Sequence, residues 1–273
     1  MIQFILFKID RCNMGVEGPS GKSYTFLNPF SYLMVRRAGL LTSISRDFVV
    51  SYDGISLLWA RNFLSSGVVS RASFDDTSIA PAVFMWAKSL ELKVGIVGSS
   101  MDTICRARQI IFEKYGIEVV ECVDGYFSLT SEPAILKRFK ACDLVICSLG
   151  SPKQELFLMK LRDQGWVGNG YTCGGYFDQL AAADGGDYYP RLMNKLNLRW
   201  AYRLYKEPRR LSKRYFLEYP LGLCAFFLDR ARGAYRDDAA RIANIVVHDL
   251  DEAISAQVNT LPEIDRADKK KAS

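Results

Sequence analysis

From residue 1 to about 190, short apolar runs alternate with segments whose apolar positions recur every three to four residues. The runs at 2–8, 24–28, 48–52, 93–97, 117–123, 144–148 and 170–173 are four to seven residues long and rich in Val, Ile, Phe and Tyr, so they predict strands. The segments at 30–38, 56–64, 79–90, 101–114, 132–141 and 154–164 carry the longer period and predict helices. Strands that alternate with helices of this length predict an α/β fold, a Rossmann-like parallel sheet with helices on both faces. Residues 95–150 show the pattern most clearly: strand, glycine turn, helix, strand, glycine turn, helix, strand.

The pattern changes at residue 188. Strands stop, and a helical stretch rich in Arg, Leu, Tyr and Trp runs to about 236. A polar amphipathic helix at 237–258 follows, and residues 265–273 (DRADKKKAS) have the charged, apolar-poor composition of a disordered tail. The chain thus divides into an α/β unit at 1–187, a basic and aromatic helical appendage at 188–236, and a tail at 237–273.

Charge sharpens this division. The net charge is +6, yet residues 191–236 hold twelve Lys or Arg against three acids, +9 in 46 residues, which leaves the remainder at −3. The segment WAYRLYKEPRRLSKRY (200–215) interleaves aromatics with Arg203, Arg209, Arg210 and Arg214, and the apolar run PLGLCAFFL (220–228) continues it. That mixture suits an interfacial helix on anionic lipid. A solvated basic face ranks second and nucleic acid third, so no nucleic-acid partner is expected.

No apolar run reaches the roughly 18–20 residues of a membrane span, and MIQFILFKID lacks the features of a signal peptide. Seven cysteines without a CxxC pair indicate reduced, mostly buried thiols in a cytosolic protein, with no zinc site. The only histidine, His248, lies outside every candidate site, which argues against a histidine base or a histidine-rich metal centre.

Candidate chemistry collects where strands are predicted to end. Leu149-Gly150-Ser151-Pro152-Lys153-Gln154-Glu155 joins a buried run to a helix, and the free N–H groups of that helix start suit an anionic ligand. Gly98-Ser99-Ser100 ends KVGIV like a phosphate-binding βα turn, although it is neither GxGxxG nor a P-loop. Tyr126, in Asp124-Gly125-Tyr126-Phe127, either stacks on a base or covers the sheet end. Asp53, in Asp53-Gly54, is either a helix cap or a general base. Asn28 can bond a sugar hydroxyl, Arg71 can pair with phosphate, and Asp178 follows the double glycine Gly174-Gly175. Taken singly, the Gly98 and Tyr126 turns read equally either way, and the others read first as ordinary turns, caps or loop residues. Together, Asn28, Asp53, Gly98, Tyr126, Gln154 and Asp178 all fall at carboxyl ends of predicted strands, where one crevice gathers them.

The ordered series of NP at 28–29, DGISLLWA at 53–60, Arg71, GSS at 98–100, DGYF at 124–127, LGSPKQELF at 149–157, GGYFDQLA at 174–181 and LRWAYRLYKEPRRLSKRY at 198–215 resembles the WecG/TagA/CpsF glycosyltransferases, glycosyltransferase family 26. Among the branches it looks closest to the GumM-like enzymes of exopolysaccharide assembly. The resemblance implies a cytoplasmic, peripherally membrane-associated, inverting and metal-independent enzyme. Such an enzyme moves a hexose, of glucose or N-acetylmannosamine type, from a UDP-sugar to a polyprenyl-diphosphate-linked saccharide for exopolysaccharide or cell-surface glycan synthesis.

By position, the resemblance makes Asp53 the base and Asn28 and Arg71 the sugar and phosphate contacts. It makes Tyr126 the stacking aromatic, Gln154 a donor contact and Asp178 a uridine contact, with Gly54, Gly98, Ser99 and Glu155 beside the donor. Arg203, Arg209, Arg210 and Arg214 belong to the segment that docks on membrane and closes over phosphate. No metal and no other cofactor is implied, and assembly into a homo-oligomer stays open. The chain departs from the family pattern at Phe26, where a Thr is usual, at Ser99, where a second Gly is usual, and at 187–190, where Arg-Ala-Pro is usual. A non-catalytic nucleotide-binding scaffold of a membrane polysaccharide assembly is the alternative. A Rossmann oxidoreductase is disfavoured, because no GxGxxG with a ribose-binding acid about 20 residues on is present.

Overall fold

The computed structural model describes residues 21–64, 68–186, 188–190, 193 and 198–233. The strand expected at 2–8, the helix at 237–258, the charged tail and His248 lie outside the described residues.

Strands β1 (Ser23–Leu27), β2 (Phe48–Tyr52), β3 (Val94–Gly98), β4 (Val119–Val123), β5 (Leu144–Ser148) and β6 (Asn169–Thr172) form one sheet in the order β2-β1-β6-β5-β3-β4. Every pairing is parallel. The helices are α1 (Pro29–Arg37), α2 (Leu41–Asp47), α3 (Ile55–Leu64), α4 (Ala80–Ser89), α5 (Met101–Tyr115), α6 (Glu132–Phe139), α7 (Lys153–Asp163) and α8 (Tyr176–Ala182). After the change of pattern come α9 (Arg199–Lys206), α10 (Pro208–Lys213), a π-helical turn (Arg214–Glu218) and α11 (Tyr219–Ala231).

Period-two alternation sorts the strand side chains into two apolar layers. Val97, Val145 and Cys147 face the layer built with α1, α2, α3, α6 and α7. Val94, Ile96, Leu144 and Ile146 face the layer built with α4, α5 and α8. Strands β3 and β5 are buried throughout, which is why VGIVG and LVICS read as continuous apolar runs. Neighbouring β3 and β5 continue to opposite sides of the sheet, so their carboxyl ends open a crevice.

The described elements match the expected parallel α/β fold. Two helices were not expected from the sequence. Helix α2 buries only Ile44, too little to show periodicity, and α8 begins directly after the double glycine Gly174-Gly175, which puts Asp178 in a first helical turn. Cysteine burial is also less uniform than expected: Cys142 and Cys147 are buried, but Cys105 and Cys224 are exposed.

Helix α11 gives the run 220–228, expected to continue an interfacial helix, a buried face as well. Its Ala225 and Phe226 belong to the same core layer as α1. Phe226 meets Tyr32 edge to face with ring centres 5.2 Å apart. Asp229 accepts from Arg36 Nε at 2.6 Å, Arg36 Nη2 at 3.1 Å and the Tyr32 hydroxyl at 2.9 Å. Leu221, Phe227 and Leu228 stay exposed on the other face.

Candidate active site

Above the carboxyl ends of the strands lies a cleft of about 1170 Å³, and α9, the π-helical turn and the start of α11 form part of its wall. Of the residues singled out in the sequence, Asn28, Asp53, Gly54, Arg71, Ser99, Tyr126, Gln154, Asp178, Arg203 and Arg214 line it. Gly98, Glu155 and Arg209 are not among the lining residues, and the side chain of Arg210 lies outside the described part.

Asp53 follows β2 directly. Its N–H donates to the Leu27 carbonyl at 2.9 Å, which seats the β2–α3 turn beside the end of β1. Gly54 allows that approach, because a Cβ there would stand 2.8 Å from Pro29 Cδ and 2.9 Å from Asn28 Cβ. Asn28 caps α1: its Oδ1 accepts from Ser31 N at 3.0 Å, and Ser31 Oγ accepts from Asn28 N at 2.8 Å. Arg71 reaches in from the loop after α3. Its Nε donates to the Asp53 carbonyl at 2.6 Å, and its Nη2 donates to the Asp53 carboxylate and, at 3.2 Å, to Ser73 Oγ. The phosphate-pairing candidate therefore already grips the candidate base.

Gly98 has a packing role that the sequence did not show. It has a φ of +131°, and a Cβ there would collide with the main chain of Ser148. Its lack of a side chain serves packing of β3 against β5, whereas Ser99 and Ser100 face the cleft. Gly125 N donates to Ser99 O at 2.9 Å and ties the β4 turn to the β3 turn. Tyr126, on that turn, is 82% exposed at the cleft.

Gln154 is a largely buried part of the floor, and Glu155 lies beneath it. Gln154 Oε1 accepts from Gly174 N at 3.2 Å, which joins the β5 and β6 turns. Glu155 is fully buried, so it organises the floor instead of touching a donor. Its Oε1 accepts from Thr25 Oγ1, Ser151 Oγ and Gln154 Nε2, each at 3.0 Å. Burial pushes the Glu155 carboxyl above the ordinary range, and these hydrogen bonds partly pull it back. Thr25 is likewise buried, and Phe26 lines the cleft in the position where the resemblance anticipates a Thr.

The appendage brings cations over this floor. An ideal Cβ on Gly175 would lie 3.6 Å from Arg203 Nη2 and 3.7 Å from Asp178 Oδ2, which sets Arg203 above the β6–α8 turn. Arg203 Nε is buried without a hydrogen-bond partner. Burial works against the Arg203 cation, but Tyr189, Tyr215, Tyr219 and Asp53 outweigh it and raise its pKa above the ordinary value. Cys173 also lines the cleft; burial pushes its thiol well up, which leaves it protonated and a poor nucleophile.

Two contributors carried no sequence signal. Asp75 and Tyr189 lie in irregular segments outside any motif, yet both line the cleft. Arg199 fell inside the motif at 198–215 and the basic segment, but without a role of its own. The arrangement can seat an anionic, base-bearing ligand on the strand-end turns and present a carboxylate beside it.

The model of the WecG/TagA/CpsF glycosyl transferase family matches residues 8–236. A relative from Shigella boydii, the UDP-Gal:α-D-GlcNAc-diphosphoundecaprenol β-1,4-galactosyltransferase, is 34% identical over 207 residues, 74% of this chain and 84% of that protein. These matches reach the family and not a branch within it.

Proposed function

The chain belongs to the WecG/TagA/CpsF glycosyltransferase family, and from that premise we propose that it transfers a hexose from a UDP-sugar to a polyprenyl-diphosphate-linked saccharide. The observation that carries the proposal is the position of Asp53, a carboxylate held by Arg71 at the wall of the cleft that gathers the strand-end turns.

The uracil ring stacks on Tyr126, and Asp178 accepts from the uridine. The diphosphate lies over the Ser99–Ser100 turn at the start of α5, where free N–H groups and the helix dipole favour negative charge. Asp53 takes the proton of the acceptor hydroxyl as that oxygen attacks the anomeric carbon, and UDP leaves from the opposite side with inversion. Negative charge grows on UDP as the bond breaks. Arg203 and Arg214, on the appendage side of the cleft, face that charge. No group of three or more His, Cys, Asp or Glu able to hold a metal occurs among the described residues. In this reading arginine side chains and backbone N–H groups stabilise the leaving diphosphate without a divalent ion.

Among the described residues, no helix is long and apolar enough to cross a membrane. The exposed Trp200, Tyr205, Phe216 and Leu217 beside the basic helices support peripheral docking on an anionic membrane surface. In this reading residues 21–186 hold the donor, and the appendage docks and closes the site.

The test is transfer by the full chain. A panel of UDP-hexoses, UDP-galactose included, is incubated with a GlcNAc-diphosphate-polyprenol acceptor, with and without EDTA. Transfer that persists in EDTA is expected for at least one donor. UDP binding without transfer from any donor would favour the scaffold alternative, and transfer that needs added Mg²⁺ or Mn²⁺ would refute metal independence.

A further inference from the structure

A line of alternating charges runs from the candidate base to the first residue of α9. Arg71 holds the Asp53 carboxylate on one side. On the other, Arg71 Nη2 donates to Ser73 Oγ at 3.2 Å, and Ser73 Oγ donates to Asp75 Oδ2 at 2.6 Å. Arg71 Nη2 and Asp75 Oδ2 are themselves 4.0 Å apart. Asp75 Oδ2 then accepts from Arg199 Nη1 at 2.9 Å. Thr77 closes the line: its N–H and hydroxyl donate to Asp75 Oδ1 at 2.9 and 2.6 Å, and its hydroxyl accepts from Arg199 Nη2.

We propose that Asp75 and Arg199 are positioning residues that couple seating of the appendage to the orientation of Asp53. Arg199 stands at the start of α9, and Arg203 follows one turn later on the same helix. One docking movement therefore brings Arg203 to the cleft and completes the line that ends at Asp53. With Arg199 in place, the charge of Asp75 is shared between two guanidinium groups. With α9 unseated, Asp75 has only Arg71 to pair with and draws it from Asp53, so the base loses its fixed rotamer. The partners of Asp75 are strong enough for this role. Burial opposes its charge, yet Arg199, Arg71, Ser73 and Thr77 together hold its carboxyl below the usual range. Side-chain exposures of 15% for Asp75, 17% for Arg199 and 21% for Arg71 weaken screening along the middle of the line, while Asp53, at 33%, opens on the cleft.

The inference rests on Asp53 as base, and the test separates the two. Arg199→Gln, Arg199→Lys, Asp75→Asn, the Arg199→Gln/Asp75→Asn pair and Asp53→Asn are assayed with a water-soluble acceptor, so that membrane attachment does not enter. Arg199→Gln and Asp75→Asn should each lower kcat roughly tenfold to a hundredfold, the scale of a misplaced catalytic group, with the Kd for UDP within about twofold. The pair should be no worse than the worse single variant, and Arg199→Lys should recover most of the rate. Unchanged kcat in Arg199→Gln and Asp75→Asn, or losses that simply multiply in the pair, overturns the coupling even where Asp53→Asn is inactive. Full turnover in Asp53→Asn overturns the base and the coupling with it. Equal loss of kcat and UDP binding, accompanied by a lower melting temperature, identifies a purely structural role and also overturns it.

Discussion

Arg71 holds Asp53 by two different groups of the same residue: its Nε binds the Asp53 carbonyl at 2.6 Å and its Nη2 the carboxylate. The first contact orients the backbone of the β2–α3 turn, and the second fixes the side-chain rotamer. A base so held keeps one lone-pair direction for the acceptor hydroxyl. Asp53→Asn should lower turnover by about 10²–10⁴ while UDP binding persists, since the amide preserves shape and removes basicity. Steady-state transfer and calorimetric UDP titration check this. A variant that retains near-normal turnover would move the base elsewhere.

Tyr126 offers its ring to the cleft with little packing around it. Its truncation should therefore affect ligand and not fold. Tyr126→Ala should weaken UDP by about 1–3 kcal/mol, the range of base–aromatic stacking, with an unaltered melting temperature. Equal affinity in the variant removes Tyr126 from the donor site.

Asp229 is a pH lever outside the cleft. Burial opposes its charge, but hydrogen bonds from Arg36 and Tyr32 outweigh this and hold its carboxyl below the usual carboxylate range. The unfolded chain returns it to a value near 4. Its contribution to stability is therefore complete above about pH 5 and disappears as pH falls through the folded value. Asp229→Asn should melt below the parent at pH 7, and the difference should narrow as pH falls below about 4, where the carboxylate begins to be protonated. A gap that stays constant over that window would show that the ion pair carries no stability.

Gly222 lies where α11 crosses the start of α1, and a Cβ there would run into the Pro29 carbonyl. Main chain cannot swing aside as a flexible side-chain tip does. Gly222→Ala should cost about 1–3 kcal/mol by overpacking and loosen α11, whereas Leu221→Ala on the exposed face should cost little. Melting curves of the two variants decide it; equal stability would mean that α11 shifts freely.

The buried face of α11 also changes how membrane docking is tested. Removing everything from residue 188 strips Ala225 and Phe226 from the core as well as the basic surface. Tyr205 is 81% exposed and Arg209 is also exposed, and neither lines the cleft, so they report on docking alone. Tyr205→Ser with Arg209→Glu should weaken sedimentation with anionic liposomes, by about 1 kcal/mol per charge step, and added salt should narrow the difference. Transfer to a water-soluble acceptor should be unchanged. Unaltered liposome binding would place the lipid contact on another face.

Local pattern was enough to find the sheet. The runs at 48–52 and 144–148 coincide with β2 and β5, and the other described strands shift by a residue or two, because alternation and β-branched content are properties of neighbours in the chain. The gathering of Asn28, Asp53, Gln154 and Asp178 at one cleft was equally legible, since carboxyl ends of parallel strands share one edge of a sheet. Tertiary structure alone decided the rest. Whether a glycine serves ligand or packing depends on what stands opposite, and for Gly98 it is the main chain of Ser148. The run 220–228 is apolar on both faces of its helix, so sequence could not say that Phe226 enters the core while Phe227 stays outside. The line from Asp53 through Arg71 and Asp75 to Arg199 had no sequence signature, because Asp75 and Arg199 lie 124 residues apart and meet only when α9 seats on the cleft. Charge pairing across such separations follows from packing, and packing is what periodicity cannot encode.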